Sequence, residues 1–276
     1  MASVAIEGWA DDCATIDEIE DALAELRLRV GRGGVPDLRT SVLTHMAWVP
    51  AEWQAAATET LAGLGEQHPS RTLLFFPEPE EGNRLAATVF LECHPLEGDA
   101  RQLCNEVVEL RLGGPRAEAP ASIATPLLLP DLPVFLRWRG RPPFRTNEFT
   151  QMIAIADRLI VDSAEWPDVP GAYAELEDFF EAAAFSDIAW RRTLPWREAL
   201  AQRWPERPDR IAGPPAETAL LAGWLQSRAG VEVEREHADE LAYDDHLAAS
   251  ELLSEELNVF GRDAVYEAAA QAAARL

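Results

Sequence analysis

Residues 134–145, VFLRWRGRPPFR, join a short apolar run to four arginines, one tryptophan and two prolines. Guanidinium groups bind carboxylate or phosphate through paired hydrogen bonds. Trp138 and Phe144 supply flat apolar area of the kind that anchors protein interfaces. The apolar run predicts a buried strand, and ligands of open α/β folds bind beyond the carboxyl ends of such strands. The stretch is therefore the strongest candidate for anion or partner binding, with a solvated loop that balances nearby acid as the open alternative.

Two further groups could bind a metal or take part in redox chemistry. Cys93, His94 and Cys104 lack a fourth ligand and fit no zinc spacing, so residues at strand ends are the preferred interpretation. A redox pair formed by the two cysteines is a minor alternative. The acidic segment 237–246 could bind a hard cation, but a solvated run of charge is the better interpretation.

A nucleotide site or a catalytic histidine has little support. Residues 31–36, GRGGVP, follow a predicted helix and lack the third glycine of a dinucleotide fingerprint, so they are expected to end that helix. His45 lies near the carboxyl end of a predicted strand with no nucleophile or carboxylate identifiable beside it. We expect a core histidine whose hydrogen bonds are satisfied. No cofactor and no metal are expected.

The composition excludes several classes of protein. The chain of 276 residues contains no lysine, so all 24 of its basic residues are arginines. Schiff-base chemistry, a P-loop lysine and a lysine general base are thereby excluded. A formal net charge of -24 argues against nucleic-acid binding and against attraction to anionic membranes. With no secretory signal or membrane-spanning run and only three cysteines, we expect a cytoplasmic protein.

The elements that position these residues follow from periodicity and turn signals. Apolar or β-rich runs predict strands at 38–50, 71–77, 84–95, 105–114, 134–138 and 157–163, and VEVERE (231–236) is a candidate strand remnant. Helical spacing predicts helices at 15–30, 51–69, 122–130, 147–156, 172–185, 195–204, 216–230, 247–261 and 262–276. A strand–helix–strand order implies parallel pairing. We therefore predict an α/β fold, three-layered, with a mostly parallel sheet and flanking helices, followed by a smaller mainly helical C-terminal region. The predicted domains are 1–168 and 169–276, with 205–215 as a proline-rich joint.

Several long blocks resemble one family. PLLLPDLPVFLRWRGRPPF (126–144), DRLIVDSAEWPD (157–168) and DIAWRRTLPWREALAQ (187–202) are similar to the OpcA family, the glucose-6-phosphate dehydrogenase assembly proteins. RTSVLTHMAWVPAEW (39–53) and HPSRTLLFFPEP (68–79) fit the same family. Arg137 departs from it, since a second aromatic is expected there. The segment between Gly230 and Leu252 is also shorter than expected.

The resemblance implies a non-catalytic protein that binds glucose-6-phosphate dehydrogenase and promotes its active oligomer, on the oxidative pentose phosphate pathway. It would act by binding the competent oligomer preferentially, as an allosteric activator does. The residues expected at the partner surface are Arg137, Trp138, Arg139, Arg141, Arg191, Arg192 and Trp196. Core packing is the alternative for Trp190 and Trp196. Charge reversal at Arg139 and Arg141 is expected to weaken partner binding without lowering the melting temperature.

Two other functions stay open at this point. The arginine cluster could hold the phosphate of a sugar phosphate, which would make the protein an enzyme or a sensor. A weaker alternative is a degenerate α/β enzyme that is kept as a scaffold.

Overall fold

A computed structural model describes residues 4–32, 37–38, 41–61, 64–95, 102–243 and 247–276. The strands are β1 (Val4–Asp11), β2 (Asp37–Leu38), β3 (Leu43–Trp48), β4 (Ser70–Glu78), β5 (Leu85–Pro95), β6 (Gln102–Gly113), β7 (Val134–Trp138), β8 (Arg158–Val161), β9 (Ala184–Asp187), β10 (Arg210–Gly213) and β11 (Glu234–His237). The α-helices are α1 (Ile16–Arg32), α2 (Gln54–Leu61), α3 (Leu64–Gln67), α4 (Pro115–Glu118), α5 (Ala121–Leu127), α6 (Asn147–Ala154), α7 (Val169–Leu176), α8 (Ile188–Arg192), α9 (Leu194–Arg203), α10 (Pro215–Ala229), α11 (Ala249–Leu257) and α12 (Ala264–Ala273). Short 3₁₀ helices occupy Ala51–Trp53, Ser163–Glu165 and Glu177–Phe179.

The chain divides into two compact units. The first unit comprises Met1–Arg139 and Arg145–Asp157, and the second comprises Gly140–Phe144 and Arg158–Leu276. The arginine-rich stretch therefore contributes residues to both units.

The sheet of the first unit is mostly parallel. Its strands lie in the order β1-β5-β6-β4-β3-β7, with β2 beside β6. β3 pairs in parallel with both β4 and β7, so that Met46 lies opposite Leu73 on one side and Leu136 on the other. β4 and β6 are also parallel, whereas β5 runs antiparallel to β1 and β6. The predicted mostly parallel α/β fold is confirmed.

Successive strand residues point to opposite sides of the sheet, so each face presents its own set of side chains. Helices cover both faces. On one face, Ala47, Leu74 and Phe76 pack with Ala57 of α2. On the other face, Trp48 stacks on Phe75 and on Trp138, which meets Phe149 of α6 edge-on. The central strands β3 and β7 are buried along their whole length, as their near-continuous apolar composition predicts.

The first long helix begins where its sequence predicts. The Thr15 hydroxyl accepts a hydrogen bond from the Glu18 backbone at 3.3 Å, and the Thr15 backbone donates to the Glu18 carboxylate at 2.8 Å. This reciprocal capping box satisfies two of the free donors at the helix start. It also lowers the pKa of Glu18, through the hydrogen bonds that Thr15 donates.

The second unit contains two parallel strand pairs, β8 with β9 and β10 with β11. Two of these strands were not predicted. The predicted helix 172–185 ends as α7 at Leu176, and β9 follows from Ala184. β10 lies within the segment that was expected to be a proline-rich joint. Helix α10 ends at Gly230, whose φ of 62° is the left-handed conformation that glycine favours.

Cys93 and Cys104 form a disulfide between β5 and β6, where they occupy directly opposite positions. The pairing that was a minor alternative is therefore present. Cys13 is a free, exposed thiol.

Within the described residues, no helix is long and apolar enough to cross a bilayer.

Candidate functional site

The three predicted residues at the end of β7 are buried. Trp138 is 1 % exposed, Arg137 2 % and Arg139 7 %. Trp138 stacks on Trp48 with 4.9 Å between ring centroids, and Arg137 donates to the Trp138 carbonyl oxygen. The Arg139 guanidinium lies 5.4 Å from the ring centroid of Trp53. The expectation that these side chains form an exposed surface is wrong, because helices cover both faces of the strand.

His45 is a core residue on the same face of the sheet as Arg137. Burial, the charge of Arg137 and the neighbouring His68 lower its pKa to about 3, so its imidazole is neutral. Neither ring nitrogen has a hydrogen-bond partner among the described residues. The core location is confirmed, whereas the expected hydrogen bonds are absent.

The loop that follows β7 belongs to the second unit and is fixed by polar contacts. The Gly140 backbone donates to Glu165 at 2.6 Å, and its carbonyl accepts from the Trp166 indole at 3.2 Å. Phe144 is buried edge-on against Trp166, so it does not form the exposed anchor that was expected. Arg141 is exposed and pairs with Glu175 at 2.7 Å. Charge reversal is thus expected to leave stability unchanged at Arg141 but not at the buried Arg139.

Arg192 holds a half-buried ion-pair network together. Its two terminal nitrogens donate to both carboxylate oxygens of Asp162, at 3.1 and 2.6 Å, and Nε donates to Glu217 at 2.7 Å. Burial lowers the pKa of Arg192, but the charges and hydrogen bonds of the two carboxylates outweigh it and raise the pKa overall. Arg192 therefore has a clear structural role.

Arg191 and Trp196 are half-buried in the same unit. Arg191 pairs with Glu256 at 2.6 Å. Trp196 packs beside a small core of Ile211, Leu221 and Leu225. Partner binding by the seven predicted residues stays a prediction, and the structure places three of them in the first unit and four in the second.

A fully buried polar network joins α7, β9 and the 3₁₀ helix Ser163–Glu165 that follows β8. The Tyr173 hydroxyl lies 2.7 Å from Ser163 Oγ and 2.8 Å from Asp187 Oδ2. The other Asp187 oxygen accepts from the backbones of Ser163 and Ala189, which caps α8. Since these side chains are inaccessible to solvent, the network serves the fold. No pattern in the sequence indicated this network, because β9 itself was not predicted.

Replacing Asp187 by asparagine is expected to remove a pH dependence of stability. Burial, and then the charge of Asp162, raise the pKa of Asp187 from 3.8 to about 6. The folded state thus binds the proton more tightly than the unfolded state, and this contribution to stability is lost as the pH rises through about 6. Between about pH 4 and pH 7 the free energy of unfolding of the wild type should fall by up to ~3 kcal/mol relative to the variant. Denaturant titrations at both pH values measure this, and a constant difference would contradict it.

The second unit also carries a group of aromatic and arginine side chains that are exposed, apart from the half-buried Trp196. We define the aromatic–arginine patch as Trp196, Arg203, Trp204, Arg207, Arg210 and Tyr243. Five of these residues line a groove of about 250 Å³, and Trp204 adjoins it through Arg207, whose guanidinium lies 5.3 Å from the indole centroid. Trp204 is 49 % exposed and Tyr243 57 %. Tryptophan, tyrosine and arginine are the residue types that contribute most to binding at protein interfaces.

Charges in the patch are only partly neutralised. Arg203 pairs with Glu206 at 2.9 Å, and Arg210 pairs with Glu236 at 3.0 Å. Arg207 has no carboxylate within ion-pair distance in the described part of the chain, and it rests on Trp204 instead. An acidic chain thus presents an exposed cation beside exposed rings. Sequence reasoning selected only Trp196 from this patch, because its members are distributed from 196 to 243.

Two family models match the chain. The model described as the glucose-6-phosphate dehydrogenase subunit N-terminal domain, OpcA type, matches residues 62–178. The model described as the C-terminal domain of the same subunit matches residues 183–246. The chain belongs to the OpcA family. The resemblance in the sequence is thereby confirmed.

Three cyanobacterial relatives carry the provisional name OxPP cycle protein OpcA. The relative from Synechococcus elongatus is 27 % identical over 232 residues, which cover 76 % of this chain and 52 % of the relative. The relative from Nostoc punctiforme is 29 % identical over 178 residues, which cover 59 % of this chain and 38 % of the relative. The chain thus spans about half the length of these relatives, or less. No solved structure matches the chain.

Proposed function

We propose that this protein binds glucose-6-phosphate dehydrogenase and promotes its assembly into the active oligomer, without catalysing a reaction itself. The observation that carries the proposal is the match to both family models, whose descriptions name a subunit of that dehydrogenase. The name of the relatives, which refers to the OxPP cycle, supports the same pathway.

We propose the aromatic–arginine patch as part of the contact with the dehydrogenase. Trp204 and Tyr243 offer rings that a partner can bury, and Arg207 offers an exposed guanidinium that has no carboxylate partner among the described residues. The complementary surface of the dehydrogenase would be acidic and partly apolar. By binding the assembled oligomer more tightly than its separate subunits, the protein would shift the equilibrium toward the oligomer.

The double variant Trp204→Ala with Arg207→Ala tests this contact. We expect it to weaken binding to the dehydrogenase from the same organism by at least about 30-fold, or about 2 kcal/mol, because both side chains are of the hot-spot type. Titration calorimetry of the purified proteins measures the change.

Leu28→Ala is the matched control, since Leu28 is an exposed apolar residue of α1 in the first unit. It should leave the affinity unchanged. Equal affinity of the double variant and the wild type would place the contact elsewhere. No binding by the wild-type protein would contradict the proposed function itself.

A further inference from the structure

A cavity of about 210 Å³, lined by three arginines and three carboxylates, lies within the second unit. Arg158 at the start of β8, Arg191 of α8 and Arg197 of α9 contribute three guanidinium groups to its wall. Tyr266 of α12 lines the same cavity. Of these arginines, only Arg191 was among the predicted site residues.

Two of the three guanidiniums have only neutral acceptors. Arg158 donates to the Phe185 carbonyl at 2.9 Å, to Ser186 Oγ at 2.6 Å and to the Gly261 carbonyl. Within the described residues it forms no ion pair, although its residue is only 2 % exposed. Burial lowers the pKa of Arg158 and outweighs the opposing charges of Glu256 and Asp263, neither of which pairs with it.

Arg197 shows the same pattern. It donates to Thr193 Oγ1 at 3.0 Å and weakly to the Trp190 carbonyl at 3.4 Å, and its guanidinium lies 3.6 Å from the indole centroid of Trp190. No carboxylate lies within ion-pair distance of it among the described residues. Burial lowers its pKa to about 10, against a weaker opposing effect of Asp263. Burying a charge without an ion-pair partner costs folding free energy. Two arginines in this situation beside one cavity therefore require an explanation.

The carboxylates of the cavity are already used by the fold. Asp187 caps α8. Glu256 pairs with Arg191 at 2.6 Å. Asp263 accepts from two backbone amides at the start of α12 and from the indole of Trp190. None of the three lies within ion-pair distance of Arg158 or Arg197, although the charges of Glu256 and Asp263 act on both guanidiniums.

Tyr266 provides a buried hydroxyl that forms no hydrogen bond of good geometry. Its side chain is 1 % exposed, and the one acceptor that affects its hydroxyl in the described part of the chain is the Asp187 carboxylate, which already caps α8. Burial, and then the charge of Asp187, raise its pKa, so the hydroxyl keeps its proton. A buried hydroxyl without a hydrogen bond of good geometry costs free energy that a ligand could recover.

We propose that this cavity binds the phosphate group of a small anion, with Arg158 and Arg197 supplying two positive charges and Tyr266 a hydrogen bond. Two guanidiniums match a phosphate dianion in charge and in bidentate geometry. The volume is below the roughly 300 Å³ at which drug-sized ligand sites begin, which favours inorganic phosphate or a small phosphate ester. This binding goes beyond the assembly function and does not depend on it.

Calorimetric titration of the full chain with inorganic phosphate, glucose 6-phosphate and glucose tests the proposal. The wild type should bind at least one of the two phosphates and should not bind glucose. Tighter binding of glucose 6-phosphate would identify an ester as the ligand, whereas equal binding would show that the phosphate group alone is recognised.

Two variants decide whether the cavity is the site. Arg197→Gln should weaken phosphate binding about tenfold or more, because it removes the positive charge of this side chain. The glutamine amide is still polar and can still donate a hydrogen bond to Thr193. Tyr266→Phe should weaken binding while changing the melting temperature of the free protein very little, because the hydroxyl forms no hydrogen bond of good geometry, even to the Asp187 carboxylate. Arg228→Gln, at an exposed position near the end of α10 in the same unit, is the matched control. No binding by the wild type, or equal weakening by all three variants, would overturn the proposal.

Discussion

Substituting Trp138 by alanine is expected to lower the free energy of unfolding by about 3 to 5 kcal/mol. The indole is 1 % exposed, stacks on Trp48 and meets Phe149 edge-on at 5.2 Å between ring centroids. Its removal leaves a large cavity between the sheet and α6, and it also loses two aromatic contacts. Denaturant titration measures the change.

Trp204, which is exposed, serves as the matched control for the buried Trp138. Trp204→Ala removes the same side chain from a position that is 49 % exposed, so its effect on stability should stay within about 0.5 kcal/mol. The two variants should also differ in how they affect binding to the dehydrogenase. Trp204→Ala should weaken binding, whereas Trp138→Ala should weaken it only as far as it unfolds the protein. Equal stability of the two variants would contradict the packing described for β7.

Replacing Arg192 by methionine is expected to cost about 3 to 5 kcal/mol of stability, because it leaves two carboxylates without their cation. Asp162 accepts two hydrogen bonds from this guanidinium and Glu217 one. The side chain of Glu217 is 4 % exposed, so water cannot replace the lost partner. Thermal and denaturant unfolding measure the effect.

A second substitution separates the ion pair from simple loss of packing. Adding Glu217→Gln to the Arg192→Met variant removes one of the unpaired charges and should recover part of the stability. Arg29→Ala, which breaks an exposed pair with Glu25 on α1, should change stability very little. If the double variant is no more stable than Arg192→Met, the charge-burial explanation is wrong.

Most of the sheet could be predicted from the sequence because its strands are long and apolar. β4 and β7 are near-continuous apolar runs, and helix α1 carries a capping box that marks its start. The missed strand β9 has four residues, and its neighbours are rich in alanine and phenylalanine, which favoured an extended helix. A short strand is fixed by its pairing with β8, and pairing is not visible in local sequence.

The candidate site was harder to predict because burial depends on distant contacts. Arginines are usually exposed, so Arg137 and Arg139 were expected at the surface. Their strand is nevertheless paired with β3, and both faces of the sheet are covered. Arg158 and Arg197 are 39 positions apart by their residue numbers, and only the fold brings them to one cavity. The sequence pointed to arginines as the functional residue type but could not identify which of them share a site.

The most direct test of the assembly function is the molar mass and specific activity of the organism's glucose-6-phosphate dehydrogenase, measured by light scattering and by assay with and without this protein. We expect a stable complex, a larger share of the dehydrogenase in its oligomer and a higher specific activity of the dehydrogenase. The Trp204→Ala with Arg207→Ala variant should produce these changes only at higher concentration. An unchanged mass distribution together with unchanged activity would contradict the proposed function.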